Sequence, residues 1–152
     1  MNLDWYDWHQ SELTPQRLYD ILALRNAVFI IEQNCIYQDV DGRDLVGDNR
    51  HVAGYLDGEL SAYARILDEG DQLAIGRVIV AAKARGMNLG LQLMARALSA
   101  CAAHWPERTV HLSAQAHLQP FYARLGFRAV TEVYDEDGIP HIGMDNYRPP
   151  SA

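Results

Sequence analysis

Residues 78–90 read Val-Ile-Val-Ala-Ala-Lys-Ala-Arg-Gly-Met-Asn-Leu-Gly, an apolar β-branched run followed by a loop that contains two glycines. The apolar positions beyond the loop repeat with the 3.6-residue period of a helix: Gly90, Met94, Ala97, Leu98, Cys101 and Trp105. The first backbone amides of a helix have no intrahelical acceptor and lie at the positive end of its dipole, so an anion can bind there. Gly86 and Gly90 would allow the backbone to approach such an anion closely. The sequence therefore predicts a strand, an anion-binding loop and a helix in succession.

Two better known phosphate fingerprints are absent from this stretch, which contains neither Gly-Lys-Ser/Thr nor Gly-x-Gly-x-x-Gly. Their absence disfavours a nucleotide triphosphatase and a dinucleotide-binding fold. A loop with two glycines before a helix is more often an ordinary turn, so both interpretations stay open on this stretch alone.

The composition is that of one domain. With 152 residues, 49% of them hydrophobic, the chain can bury about 70% of the surface that its unfolded form exposes. The formal net charge of −7 disfavours nucleic acid as a partner. It suits an amine or another cationic substrate, although an acidic surface often serves solubility alone.

Cysteine content and hydropathy indicate where the protein resides. Only two cysteines occur, Cys35 and Cys101, and the second lies on the apolar face of a predicted helix, which indicates a buried free thiol and a reducing compartment. The amino-terminal residues MNLDWYDWHQ are too acidic for a signal peptide, and nowhere do about 18 apolar residues run together. We therefore expect a cytoplasmic protein that does not associate with a membrane.

Helices and strands follow one another in a mixed order. The predicted elements are a strand over 3–8, a helix from Thr14-Pro15 to about Gln33, a loop with four aspartates and two glycines over 34–48, a strand pair across the Asp57-Gly58 turn, a strand over about 73–80, the helix after the glycines, a strand near 110–114, a short helix ending at Gly126, and a hairpin turning at 135–138.

Several segments resemble the GNAT N-acetyltransferases. Arg85 to Gly90 is similar to their Arg/Gln-x-x-Gly-x-Gly/Ala pyrophosphate loop, with Asn88 in place of the middle glycine. Asn is the residue other than glycine that best tolerates left-handed backbone angles. Segments 112–115 (LSAQ) and 121–127 (FYARLGF) resemble the fifth strand of this superfamily and its helix with the FYxxxGF element. The run over 24–44 and the segment 138–141 (GIPH) are similar to the ElaA branch in particular.

The resemblance implies a fold and a cofactor. The fold would be a mixed α/β arrangement, with a twisted, mostly antiparallel sheet of about seven strands that is splayed between its fourth and fifth strands and has helices on both faces. The cofactor would be acetyl-CoA, and no metal would be needed. Its pantetheine arm and pyrophosphate would bind to Val78, Ile79, Val80, Arg85, Gly86, Met87, Asn88, Leu89, Gly90 and Gln115.

Tyr122 is the candidate catalytic acid. It shares one face of the short helix with Leu118, Phe121 and Leu125, so its ring should point inward, where its hydroxyl needs a partner. An ordinary core tyrosine is one explanation. The resemblance implies another, in which Tyr122 donates a proton to the departing CoA thiolate.

Arg25 continues the apolar stripe of the first helix, so it should point into the interior, where a guanidinium needs acidic or carbonyl partners. It can anchor the aspartate-rich loop. Alternatively, Arg25, Glu32 and Gln33 can frame the acceptor pocket, because in this family's fold the first helix and the loop after it border that pocket.

The aspartates at positions 39, 41, 44 and 48, together with His51, raise the question of a metal site. The spacing does not match an EF-hand, since the glycine is misplaced and Arg50 stands where a glutamate is needed. We expect instead a solvated acidic loop, or one that attracts a cationic substrate.

Three residues are candidates for the general base that an amine acceptor requires. Glu132 lies in an alternating, strand-like segment, His141 follows Pro140 at a strand edge or bulge, and His111 is the third candidate. We favour His141, because histidine is the side chain whose usual pKa lies nearest neutrality.

The resemblance thus implies a single-domain acyltransferase, residues 1–152, that moves an acetyl group from acetyl-CoA to an amine of a small molecule or a peptide. A CoA-binding regulatory module without turnover is the alternative, favoured by Asn88 and by the lack of a carboxylate base on the fifth strand. A structural domain without a ligand is a third. The acceptor's identity and the oligomeric state, a homodimer included, stay open.

Overall fold

The computed structural model describes residues 2–147. Its helices and strands are, in chain order, β1 (Leu3–His9), α1 (Pro15–Arg25), a π-helical turn (Asn26–Glu32), β2 (Arg50–Leu56), β3 (Glu59–Asp68), β4 (Gln72–Val80), α2 (Leu89–His104), β5 (Thr109–Gln115), α3 (Gln119–Ala123), β6 (Arg128–Ala129), β7 (Tyr134–Glu136) and β8 (Ile139–Asn146). Short 3₁₀ helices cover Gln10–Glu12, Ala82–Ala84 and Ala116–Leu118.

The strands form one sheet in the order β1-β2-β3-β4-β5-β8-β6, with β7 also paired to β8. Only β4 and β5 run parallel, because α2 crosses over between them. The mixed, mostly antiparallel sheet predicted from the sequence is confirmed, with eight strands instead of about seven.

The sheet is split between β4 and β5. Their pairing covers three residue pairs, from Gln72 with Thr109 to Ala74 with His111. Beyond Ala74, β4 contains a bulge: Arg77 has a φ of +53°, and the register with β3 shifts there. A bulge bends its strand and increases the local twist, so the second half of β4 turns away from β5.

Helices cover the two faces of the sheet. One core lies between the sheet and α2, and a second lies between the sheet and α1 with the π-helical turn. Successive residues of a strand point to opposite faces, so Ala62 and Ala64 of β3 belong to the first core and Tyr63 to the second. Cys101 is buried in the first core, as predicted.

Local signals in the sequence locate the elements well. The predicted first helix is observed as α1 followed directly by the π-helical turn, with the Thr14 side chain accepting a hydrogen bond from the Arg17 amide at 3.2 Å. Asp57 and Gly58 both have positive φ, as a two-residue hairpin turn requires. The last hairpin turns more tightly than predicted, at Asp137 and Gly138.

Within residues 2–147, no helix combines the length and the apolar character that crossing a bilayer would need.

Candidate active site

A cleft of about 440 Å³ opens where β4 and β5 separate. The loop after the π-helical turn contributes Gln33 and Tyr37 to its lining, and β4 contributes Val78. On the other side, β5 contributes Gln115 and α3 contributes Tyr122. The cleft thus brings together predicted site residues that lie far apart in the sequence.

The glycine loop, residues 85–90, leads from the end of β4 into α2. Gly86 has a φ of +84°, and Asn88, the residue before the helix, has a φ of +61°. Asn88 thus adopts the left-handed angles that this turn needs without a glycine. None of the backbone N–H groups of residues 86–91 has a hydrogen-bond acceptor in the described part of the chain. Consecutive free amides at the start of a 16-residue helix form a site that suits an anion.

Arg85 already has partners within the protein. Its Nη2 donates to the Glu32 carboxylate at 2.6 Å, and its Nε donates to the Val80 carbonyl at 3.1 Å. Glu32 therefore lies beside the glycine loop, whereas its neighbour Gln33 lines the cleft.

Tyr122 is buried, with its ring edge-on to Phe121 and Phe127. Its hydroxyl has no hydrogen-bond partner among residues 2–147, and burial raises the pKa of Tyr122 to about 12. The phenol consequently stays protonated at neutral pH. It can donate a hydrogen bond to a molecule in the cleft.

His141 lies in the cleft wall beside a carboxylate that the sequence analysis did not single out. Its Nδ1 donates to the Ile139 carbonyl at 2.8 Å, and its Nε2 lies 3.3 Å from Glu136 Oε2. Ser113 of β5 hydrogen-bonds the Tyr134 hydroxyl and donates to Glu136 Oε1 at 3.3 Å. The sequence could have indicated Glu136 only through a strand assigned to residues 134–136. That strand, β7, is three residues long, which is too short to give a recognisable alternating pattern.

The prediction that Glu132 lies in an alternating strand is wrong. The strand β6 ends at Ala129, and the Gly143 amide donates to the Thr131 side chain at 2.8 Å, so the regular ladder with β8 breaks off. Glu132 follows in an irregular, exposed segment and does not line the cleft. His111, the third candidate base, is paired with Asp145 across β5 and β8 at 2.6 Å, also outside the cleft lining.

Arg25 is a buried anchor, the first of the two alternatives above. Its Nε donates to Asp39 Oδ2 at 2.8 Å, its Nη1 to Asp44 Oδ1 at 2.5 Å, and its Nη2 to the Asp39 carbonyl at 2.8 Å. Burial by itself would lower the pKa of Arg25, but the hydrogen bond and charge of Asp44 outweigh it, so the pKa is raised. Arg25 is fully buried and does not border the cleft.

The expectation of a solvated acidic loop holds for only part of it, because Asp39 and Asp44 are buried whereas Asp41 and Asp48 are exposed. Two more arginines, from β3 and β4, complete a network of three arginines and three aspartates. Its remaining ion pairs join Arg65 to Asp41 at 2.8 Å and to Asp44 at 3.1 Å, and Arg77 to Asp39 at 2.8 Å and to Asp41 at 3.4 Å. Burial would raise the pKa of Asp41, but its hydrogen bond with Arg65 outweighs this and holds the pKa well below its usual range.

This ionic network shapes the cleft through Tyr37. The Tyr37 hydroxyl donates to Asp39 Oδ1 at 2.7 Å, and the Arg77 guanidinium lies 5.5 Å from the centre of the Tyr37 ring. Both side chains line the cleft. The aspartate-rich loop is therefore a structural support for one cleft wall.

Comparison with known proteins agrees with this architecture. The family model described as the acetyltransferase (GNAT) domain matches residues 13–147. The chain belongs to this family, and its class is that of a transferase. It is 58% identical to protein ElaA of Escherichia coli strain K12 over 145 residues, which cover 93% of this chain and 95% of ElaA.

Two solved structures are similar over almost their whole length. The crystal structure of Escherichia coli ElaA has a TM-score of 0.92 and 55% identity, and it covers 95% of this chain and 99% of its own. An acyl-CoA N-acyltransferase from Pseudomonas aeruginosa has a TM-score of 0.93 and 54% identity, with the same coverage. The predicted similarity to the ElaA branch is thereby confirmed.

Proposed function

We propose that this chain is a single-domain, cytoplasmic N-acetyltransferase that moves an acetyl group from acetyl-CoA directly to an amine. The observation that carries the proposal is the path of β4. This strand lines the cleft at Val78 and ends five residues before Arg85, the first residue of the glycine loop with its free amides. One extended ligand can then occupy both places. The similar Pseudomonas protein, described as an acyl-CoA N-acyltransferase, supports acyl-CoA as that ligand.

The donor would supply the activated acetyl group, and the chain offers groups that suit each part of it. The free amides of residues 86–91 and the Arg85 guanidinium match phosphate oxygens. Beyond Ala74, the backbone edge of β4 that faces β5 has no strand partner, so it can pair with the amides of a pantetheine arm. Gln115, whose side-chain amide both donates and accepts, lies across the cleft.

Two side chains would handle protons. The Tyr122 hydroxyl holds its proton at neutral pH and would donate to the sulfur of the leaving group. In a neutral His141 the proton resides on Nδ1, which donates to the Ile139 carbonyl, so Nε2 is the position that can take a proton from an ammonium group. The amine must lose that proton before it can attack a thioester carbonyl.

Asn88 supported the alternative of a regulatory module without turnover. Because Asn88 adopts a φ of +61°, its presence no longer argues against a working loop. Neither Cys35 nor Cys101 forms a disulfide, which is consistent with a reducing cytoplasm.

The test is release of free CoA thiol from acetyl-CoA in the presence of a mixed panel of amines, with calorimetric CoA binding measured in parallel. An acetyltransferase binds CoA and releases thiol only when an acceptor is present. Binding without release from any amine would favour the regulatory module, and absence of CoA binding would contradict both.

A further inference from the structure

The charges that line the cleft are unevenly distributed. The charged residues of the lining are one arginine, Arg77, and two acidic residues, Glu136 and Asp137. Arg77 is paired with Asp39 and Asp41 in the network where three arginines face three aspartates, so it contributes no net charge. Neither Glu136 nor Asp137 forms an ion pair with a lysine or arginine in the described part of the chain: Glu136 is paired with His141, and Asp137 accepts from Cys35 Sγ through its backbone carbonyl. The cleft wall formed by β7, β8 and the turn between them is therefore negatively charged.

Glu136 and His141 also place two hydrogen-bond acceptors, Oε2 and Nε2, next to each other in the cleft wall. The His141 Nδ1 proton is held by the Ile139 carbonyl, so in the neutral ring Nε2 carries a lone pair. That nitrogen lies 3.3 Å from Glu136 Oε2, and the His141 side chain is only 10% exposed. Two acceptors this close need a shared donor, which is either a proton on Nε2 or the N–H groups of a bound cation.

We infer that the acceptor is an aliphatic amine that carries a second positive charge, a diamine in the simplest case; this inference rests on the proposed acetyl transfer. The reacting ammonium group lies beside this pair, where it donates to both Glu136 Oε2 and His141 Nε2; it passes one proton to His141 Nε2, and the Glu136 carboxylate stabilises the resulting imidazolium. The second cation pairs with the Asp137 carboxylate at the turn. An amine with a carboxylate in that second position is repelled.

Matched probes separate charge from shape: diaminobutane, butylamine and 4-aminobutanoate share one carbon chain and differ in their far end. Their binding to the protein is measured by calorimetry or NMR in the presence of CoA, and thiol release from acetyl-CoA is measured separately. We expect affinity and kcat/KM to fall in that order, with about a ten-fold difference between the cation and the anion, since the carboxylates are partly exposed and each partly exposed ion pair contributes little.

Asp137→Asn should bring the three probes to within about three-fold of one another, because asparagine keeps the left-handed turn at φ +52° and removes only the charge. Glu136→Gln should weaken all three probes, since each places an ammonium there. Asp71→Asn is the control: Asp71 is exposed and does not line the cleft, so the ranking should persist.

Equal binding of the three probes, no binding of diaminobutane, or a ranking unchanged in Asp137→Asn would overturn the inference. A ranking that also collapses in Asp71→Asn would overturn it in favour of the overall charge. Thiol release from all probes at equal rates would overturn the inference and leave acetyl transfer standing. The expected ranking in binding without any thiol release would support the charge selection and contradict acetyl transfer.

Discussion

The guanidinium of Arg85, the first residue of the glycine loop, is paired with the carboxylate of Glu32, the last residue of the π-helical turn, at 2.6 Å. The side chains are 45% and 39% exposed, so the pair adds little to stability. It nevertheless places an anion on the side chain that the proposed function assigns to a pyrophosphate. The carboxylate and the phosphate oxygens then compete for one guanidinium.

Removing the competing carboxylate should tighten CoA binding. We expect Glu32→Gln to lower the Kd of CoA by up to about five-fold, the equivalent of one weak, exposed ion pair. Arg85→Ala should raise the Kd, and in that background Glu32→Gln should have no further effect. Calorimetry at low and at high salt measures both, and an unchanged Kd in both single variants would show that Arg85 does not contact the ligand.

The glycine loop itself is tested at Gly86. Proline cannot adopt the φ of +84° found there, so Gly86→Pro should distort the free amides and abolish CoA binding. Gly70→Pro is the control, because Gly70 has a φ of +92° and lies in the connection between β3 and β4. If folded Gly86→Pro protein binds CoA at wild-type strength, the anion site lies elsewhere.

Tyr122→Phe keeps the ring and its packing against Phe121 and Phe127 while removing the hydroxyl. We expect kcat to fall by roughly 10–10²-fold, near or below the low end of acid catalysis, because a phenol with a pKa of about 12 is a weak acid toward a thiolate. CoA affinity and acceptor KM should change little, as for an interaction made chiefly in the transition state. An unchanged kcat, measured where chemistry limits the rate, would leave Tyr122 as a core tyrosine.

Arg25→Leu should lower the free energy of unfolding by about 3–5 kcal/mol, because it leaves Asp39 and Asp44 buried without their main partner. Urea unfolding monitored by fluorescence measures the loss. Arg43→Leu is the control: its pair with Glu69 is 4.0 Å long and exposed, so its effect should stay within about 0.5 kcal/mol. Wild-type stability combined with a raised acceptor KM would instead place Arg25 at the pocket.

The buried His51 predicts a loss of stability on mild acidification. Its Nε2 donates to the Asp44 carbonyl at 2.9 Å and its Nδ1 accepts from the Tyr63 hydroxyl at 2.6 Å, so the neutral ring is fully satisfied. Burial lowers the pKa of His51 below its ordinary 6.5. Below about pH 6.5 the unfolded chain binds the proton more readily than the folded chain, so stability falls as pH falls.

Melting temperatures between pH 7.5 and pH 5 should therefore decline more steeply for the wild type than for His51→Gln. Asp41 does not contribute to the change in stability between pH 7.5 and pH 5. Its lowered pKa stabilises the fold fully above pH 3.8, the ordinary pKa of an aspartate, and this stabilisation is lost only at lower pH. Equal slopes in the two proteins would show that His51 does not titrate on unfolding.

Most elements of the fold could be predicted from short-range signals in the sequence. The Asp57-Gly58 turn, the Thr14-Pro15 helix start and the glycine loop before α2 were all recognisable, because each depends on the backbone preferences of adjacent residues. Glu132 was misplaced for the converse reason. The alternating pattern around Glu132 is typical of a strand. In the structure, however, the Gly143 amide of β8 donates to the Thr131 side chain and not to a backbone carbonyl, so the strand pairing ends there.

The sequence by itself determined the order of elements, the family and the positions of the glycine loop and Tyr122, since these follow from local periodicity and from motifs of contiguous residues. Only the tertiary structure decided that Asp39, Asp41 and Asp44 are paired with arginines, that Arg85 is paired with Glu32, and that His141 lies beside Glu136. Each of these depends on strand register and on where the sheet splits. Such electrostatic pairings join residues that are distant in the chain, and no local pattern specifies their distance or burial.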